Sequence, residues 1–432
     1  MRLTMLFALT ASSLLAADNS FLLKNVTVHA VSGPNLANAS LLVLDGRIAE
    51  VGVKLISKAK VKIIDAKGLH VYPGMIDAGT MVGISEVSSV RETSDYGDVG
   101  DFNPQLRAAV AVNPESEHIP VTRANGITSV LVLPGTPSDG GRGAAGGYIQ
   151  GQASLMHLDG WTWEQMRIQS GGALLVRLPS MTGGGTFDPA TFSRRPAAFA
   201  ESKRNYEDQM RSIRAFFDDA RRYSAAKLAK DPGLKPDVKF EAMLPVLEGK
   251  VPVIIPVTRQ RDVRLAIEFA EKQKLKLILA GLRDPGDQLK AIADKKIPVI
   301  LGSPFETPLG DDDDYDQPYT LAGRLNQAGV KFAFASFGEQ FARNLPYQAG
   351  QSSNFGLPKD VALKSVTLNA AEILGVASMV GSIETGKVAD LIVTDGDPLE
   401  IRTQVKMMFI EGRAVNLESK HTRLYQKYLN RP

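Results

Sequence analysis

The stretch Val71-Tyr72-Pro73-Gly74-Met75-Ile76-Asp77-Ala78-Gly79-Thr80-Met81 decides the fold. It joins a small β-rich segment to a long series of alternating strands and helices, and it reads as the first strand of a barrel. Residues two apart on a strand face the same way, so Gly79 and Met81 share one face of that strand.

Upstream the pattern is β. Residues 22–30 alternate around Val26 and Val28. The apolar runs 41–44 and 47–51 flank Asp45-Gly46, a strong two-residue hairpin signal because both central positions of that turn want positive φ. Short strands at 61–65 and 69–72 surround Lys67-Gly68. So few residues make a poor core alone, and their partner lies at the far end of the chain. There, 388–394 reads as a strand, and 405–410 and 414–417 form a hairpin across Glu411-Gly412. The expected organisation is a small discontinuous β-sandwich domain from both termini (18–72 plus 384–417), with a large domain (73–383) inserted in it and a tail at 418–432.

The insert has the length of a (β/α)8 TIM-type barrel, so the fold class is α/β. Strand-like apolar runs at 127–133, 251–257, 275–279, 297–301 and 330–335 are separated, over the last four, by enough chain for one helix each, as parallel strands require. Val263, Ala266, Ile267 and Ala270 sit at i, i+3, i+4 and i+7, the apolar face of a covering helix. A charged helix is expected over 202–230. Asn369, with Glu372 three residues on, reads as a helix cap, and Gly375 as its stop. The middle of the insert carries a polar, acidic loop at 85–103 and a glycine-rich one at 135–151.

Hydrophobic content of 44% and charged content of 22% are those of an ordinary globular protein. A net charge of +3 gives no reason to expect nucleic acid or an anionic membrane as partner. With no cysteine, disulfides, thiolate metal sites and cysteine nucleophiles are excluded together. Residues 1–17 carry one early charge, Arg2, then an apolar run and the small pair Ala16-Ala17. They read as a cleaved signal peptide, which predicts a periplasmic or secreted protein.

The quoted stretch resembles the opening strand of the amidohydrolase superfamily, whose pattern is Pro-Gly-apolar-Ile-Asp-x-His-x-His. Thr367-Leu368-Asn369-Ala370-Ala371-Glu372-Ile373-Leu374-Gly375 and Gly381-Ser382-Ile383-Glu384-Thr385-Gly386-Lys387-Val388-Ala389-Asp390-Leu391-Ile392-Val393 resemble that superfamily's C-terminal signature in members of the imidazolonepropionase and dihydroorotase type. The resemblance implies the barrel and small β domain already read from the pattern. It also implies metal ligands at strand ends: His-x-His on strand 1, a carboxylated Lys or Glu on strand 4, His on strands 5 and 6, Asp on strand 8.

At the matching positions this chain has Gly79 and Met81, then Pro256, then Ala280 or Gly281, then Phe337. The nearest candidate for strand 4, 174–177, ends on Arg177, which cannot ligate a cation. The chain has five histidines, and none ends an evident barrel strand with a second ligand two residues away, whereas a hydrolytic zinc site typically needs three protein ligands. The resemblance is thus to a degenerate member, with no metal and no cofactor and a mostly apolar mouth. Ser303, Glu306, Ser336 and Arg343 are expected near the mouth as a residual polar pocket. Asp311 to Asp314 read as a solvated charge run.

The function expected is a non-catalytic one: binding a small molecule, or partnering an intact amidohydrolase relative, with homo- and hetero-oligomers both open. The alternative is an active hydrolase of carbon–nitrogen (non-peptide) bonds with an unconventional site, using carboxylates near Glu306 and Asp311.

Overall fold

The computed structural model describes residues 19–53, 55, 60–135, 147–180, 185–188, 193–196 and 198–431. The signal reading at 1–17 and most of the glycine-rich loop lie outside the described residues.

Five short strands come first: β1 (Phe21–Val28), β2 (Leu36–Leu44), β3 (Arg47–Gly52), β4 (Lys62–Asp65) and β5 (His70–Pro73). Asp45 and Gly46 take φ of 49° and 76°, the doubly positive turn that joins β2 to β3 with the strands' own twist. β6 (Met75–Thr80), β7 (Ile127–Val132), β8 (Ile149–His157) and β9 (Arg167–Val176) follow. A separate hairpin, β10 (Gly185–Asp188) and β11 (Ser193–Pro196), precedes β12 (Val253–Pro256), β13 (Leu277–Ala280), β14 (Val299–Leu301) and β15 (Phe332–Phe334). The chain ends with β16 (Leu391–Thr394), β17 (Val405–Ile410), β18 (Arg413–Ala414) and a helix, Lys420–Leu429.

The barrel sheet runs β15-β14-β13-β12-β9-β8-β7-β6. Its two outer strands meet through the Phe337 amide, which donates to the Gly79 carbonyl at 2.9 Å, so the sheet is nearly closed. Inward-facing apolar residues, among them Ile76, Leu131, Leu155, Leu175, Ile254, Ile278 and Ile300, pack into one interior cluster. Outside it, Val263, Ala266, Ile267 and Ala270 of the helix Gln260–Lys272 are all buried, as their spacing predicts. The long helix Phe199–Leu228 buries Met210, Ile213, Phe217 and Ala220 and leaves its charges outside.

One strand departs from the uniform parallel pattern. β8 is antiparallel to both β7 and β9. The link from β8 to β9 holds only the single helical turn Trp163–Met166, and a parallel crossover needs a dozen residues or more. Reversal therefore follows from the short connection. It also brings the start of β8 to the opposite end of the barrel from His157.

The second sheet takes strands from both termini, in the order β18-β17-β16-β5-β1-β2-β3, with β4 on the other half of β1. Phe21 and Phe409 stack at 4.2 Å although β16 and β5 lie between β17 and β1 in the sheet, so it folds over on itself around one apolar core. One reading of a local signal is corrected: Asn369 lies inside the helix Leu368–Ile373 rather than at its cap, and its amide donates to the Phe332 carbonyl. Gly375, at φ 74°, does end that helix.

His157 joins the two sheets. Its Nε2 lies 3.0 Å from Asp390 Oδ2 and its Nδ1 3.9 Å from Glu411 Oε1, with His157 and Asp390 both nearly inaccessible. Burial opposes charging the ring, but the Asp390 carboxylate and its hydrogen bond, helped by Glu411, outweigh that burial and the nearby Arg413, and raise the imidazole pKa. A raised pKa means that the stability from this pair is full below the ordinary imidazole value and is lost as pH rises through the higher folded value. The melting temperature should therefore fall as pH rises above neutrality. Asp390→Asn should cost roughly 3–5 kcal/mol near pH 6, as breaking a buried pair does, and should flatten that slope. An unchanged slope in the variant would assign the pH dependence to other groups.

Candidate functional site

A cleft of about 990 Å³ opens at the C-terminal ends of the parallel strands. Three of its walls follow from the chain order. The floor is made by Pro256 at the end of β12, Gly281 after β13, Leu301 and Gly302 at the end of β14, and Phe334 and Phe337 around the end of β15. One side is the helix Phe199–Leu228, which contributes Ser202, Asn205, Tyr206 and Gln209, at i, i+3, i+4 and i+7. The rim comes from strand-to-helix loops and carries Arg177, Arg259, Arg261 and Arg283 with Asp101, Asp262 and Glu306.

The floor centres on Phe337. Its φ is 51°, a left-handed conformation that a bulky side chain adopts at a cost. The bond from its amide to Gly79 holds it there. A Cβ built on Gly79 would stand 3.0 Å from the Phe337 ring and 2.9 Å from Leu133 Cδ1; one built on Gly302 would stand 3.4 Å from the other edge of the ring. The ring thus sits between two strand ends that have no side chains to oppose it. Gly79 is glycine because the ring occupies the space into which a side chain would project.

Beneath it lies Asp77, fully buried. Its Oδ1 accepts from the amides of Gly79 at 3.1 Å and Ser336 at 3.0 Å, and its Oδ2 has no partner among the described residues. Burial pushes this carboxyl up to about 7, against the lowering effect of the hydrogen bonds from Ser336 and Gly79.

Of the positions singled out in the sequence, Pro256, Gly281, Phe337, Ser303 and Glu306 line the cleft together, while Gly79, Met81 and Ala280 are buried behind it. Glu306 pairs with Arg283 at 3.3 Å, and Ser303 Oγ accepts from the Phe305 amide. Ser336 does not face the cleft: its hydroxyl is tied to Thr80 Oγ1 and to the Gly338 carbonyl, both at 2.9 Å. Arg343 does not reach it either. The turn Ala342–Asn344 carries the chain past the rim, so that the Arg343 carbonyl accepts from Asn125, which shortly precedes β7 at the barrel's other end. The expected apolar mouth is also corrected, since the floor is apolar but the rim is dense with guanidinium groups. Those arginines sit in loops and at a helix start without motif spacing, and only Arg177, at the end of β9 beside β12, occupies a position that the strand reading reached.

A divalent ion does not fit what is present. Among the described residues no three His, Asp or Glu side chains are placed to hold a metal ion together. At the floor, the matching strand ends present a glycine, an aromatic ring and a proline, none of which donates an electron pair suited to zinc. His29 and His70 face each other in the small domain at 3.0 Å, and His118 bonds the Glu86 carbonyl.

The model of the Amidohydrolase family matches residues 322–416. Amidohydrolase tasK of Hapsidospora irregularis is 24% identical over 371 residues, covering 82% of this chain and 37% of the relative. The imidazolonepropionase of Sphingopyxis alaskensis is 50% identical over 48 residues, 11% of this chain and 12% of that protein. The chain therefore spans well under half the length that each of these relatives has. Among solved structures, the amidohydrolase from Thermotoga maritima MSB8 superposes with a TM-score of 0.77 at 25% identity, covering 92% of this chain and 99% of that one.

Two outcomes follow from the floor. Gly79→Ala should cost about 1–3 kcal/mol by overpacking, and Phe337→Leu should relieve much of that cost in a double-mutant cycle; simple additivity would show that ring and glycine do not share the space. Because a carboxyl with a raised pKa loses stability as pH climbs from its ordinary value to about 7, Asp77→Asn should melt above the unaltered protein at pH 8 and closer to it at pH 5. A gap independent of pH would place the effect elsewhere.

Proposed function

The chain belongs to the amidohydrolase superfamily, and we propose that it has kept the barrel while giving up the metal-dependent reaction, so that its mouth binds a ligand rather than hydrolysing one through a metal. The observation that carries this reading is the Phe337 ring, which stands at the family's strand 8 ligand position and is wedged between Gly79, at the strand 1 position, and Gly302. Replacing one ligand lowers affinity for a metal; filling its space with hydrocarbon removes the site. The same barrel end still opens into a cleft of the size that small-molecule sites have. Export to a periplasm or to the medium, from the signal-like start, belongs to this proposal.

A hydrolase of carbon–nitrogen (non-peptide) bonds with an unconventional site is the competing reading, and the named relatives are its support. Its best carboxylate in the cleft, Glu306, is already paired with Arg283. Elemental analysis of protein purified without chelators should find zinc, iron and manganese well below one ion per chain. Amides, cyclic imides and N-acyl amino acids should show no turnover, with or without added metal. Stoichiometric metal, or turnover lost on Glu306→Gln, would replace binding by catalysis.

A further inference from the structure

We propose that the cleft takes an organic anion with an apolar body: a carboxylate or phosphonate head held by Arg261, Arg259 and Arg283, and a hydrocarbon or aryl portion laid on the Phe334–Phe337 floor. This rests on the reading that the mouth binds without a metal, and it adds the chemical class of the ligand.

Four guanidiniums line the cleft, Arg177, Arg259, Arg261 and Arg283, against three carboxylates, Asp101, Asp262 and Glu306. Asp262 is occupied as a helix cap, accepting from the Thr258 and Arg259 amides at 3.1 Å each. Glu306 offsets Arg283, and Asp313 approaches Arg259 only at 3.9 Å. Arg261 lines the cleft and forms no ion pair with any described residue. A guanidinium is charged at every working pH and presents a planar fork of donors matched to carboxylate and phosphate oxygens. In a concave, partly apolar site such charge focuses a field on an entering anion.

The helix wall sharpens the choice. Around Ser202, Asn205, Tyr206 and Gln209, that helix carries Glu201, Lys203, Arg204, Glu207 and Asp208. Only the neutral hydrogen-bonding residues face the cleft. No lysine or arginine from that wall competes with the rim for the head group, and no carboxylate repels it. An inorganic anion would leave the aromatic floor uncovered; a neutral apolar ligand would leave Arg261 without a charged partner.

The test is calorimetric titration of the full chain with 4-phenylbutyrate, 4-phenylbutylphosphonate, 4-phenylbutyramide and inorganic phosphate. The first two should bind saturably, the amide at least about tenfold more weakly, and phosphate alone more weakly than the phosphonate. Added salt should weaken the anions and leave the amide unchanged. Arg261→Ala should weaken the anions about tenfold, whereas Arg264→Ala, one turn along the same helix and outside the cleft, should not. Equal affinity for amide and carboxylate, equal effects of the two substitutions, or no saturable binding of any probe at millimolar concentration would each overturn the proposal. The amide comparison uses the unaltered protein, so it decides even if a variant misfolds. Metal analysis of the same sample separates the failures: bound zinc counts against the metal-free reading, and loss of anion preference in metal-free protein counts against this one.

Discussion

One hydrogen bond, from the Phe337 amide to the Gly79 carbonyl, joins the last barrel strand to the first, and the side chain on that same residue forms part of the cleft floor. Closure and floor share one residue. The backbone reaches Gly79 with Phe337 at positive φ, and the ring lies between β6 and β14, where Gly79 and Gly302 leave room. The strained dihedral, the two bare strand ends and the buried Asp77 carboxyl, which accepts from the Gly79 and Ser336 amides, are therefore a connected set. Altering one member changes what the others must accommodate.

Legibility in the sequence follows how local the physics is. The Asp45-Gly46 and Glu411-Gly412 hairpins were readable because positive φ at both positions is a demand that few residue pairs meet. The face of the helix Gln260–Lys272 was readable because burial repeats with the helical period. Pro73 to Asp77 and 367–393 were readable as family signatures. Asn369 misled because capping and interior positions share the same local composition; what fixes it is the Phe332 carbonyl, distant in sequence. The reversal of β8 depends on connection length, and its apolar run looks like that of any buried strand.

The site was legible in part. The strand-end substitutions could be named residue by residue, and Pro256, Gly281, Phe337, Ser303 and Glu306 do meet at one cleft. Ser336 was misplaced because its hydroxyl is tied to Thr80 and Gly338, and Arg343 because the chain runs past the rim to meet Asn125 at the far end of the barrel. The guanidinium rim escaped notice for the opposite reason: four arginines scattered over a hundred positions carry no periodicity, and only the fold brings Arg177 beside Arg259, Arg261 and Arg283.

On the proposed metal-free reading, the side chains at the strand ends and the guanidiniums at the rim bear on the same question. In a metal site the ion is the dominant local charge, and its presence depends on ligands that must be deprotonated. Phe337 and the apolar layers beneath it form a packed floor from side chains alone. Guanidiniums on the rim then provide positive potential that is independent of metal supply and of pH. Arginine offers an anion attraction without Lewis acidity: it can hold the anion in place, whereas a metal can also activate water. A fold is compatible with either, so the side chains at the strand ends, rather than the barrel they sit on, distinguish a binding site from a hydrolytic one.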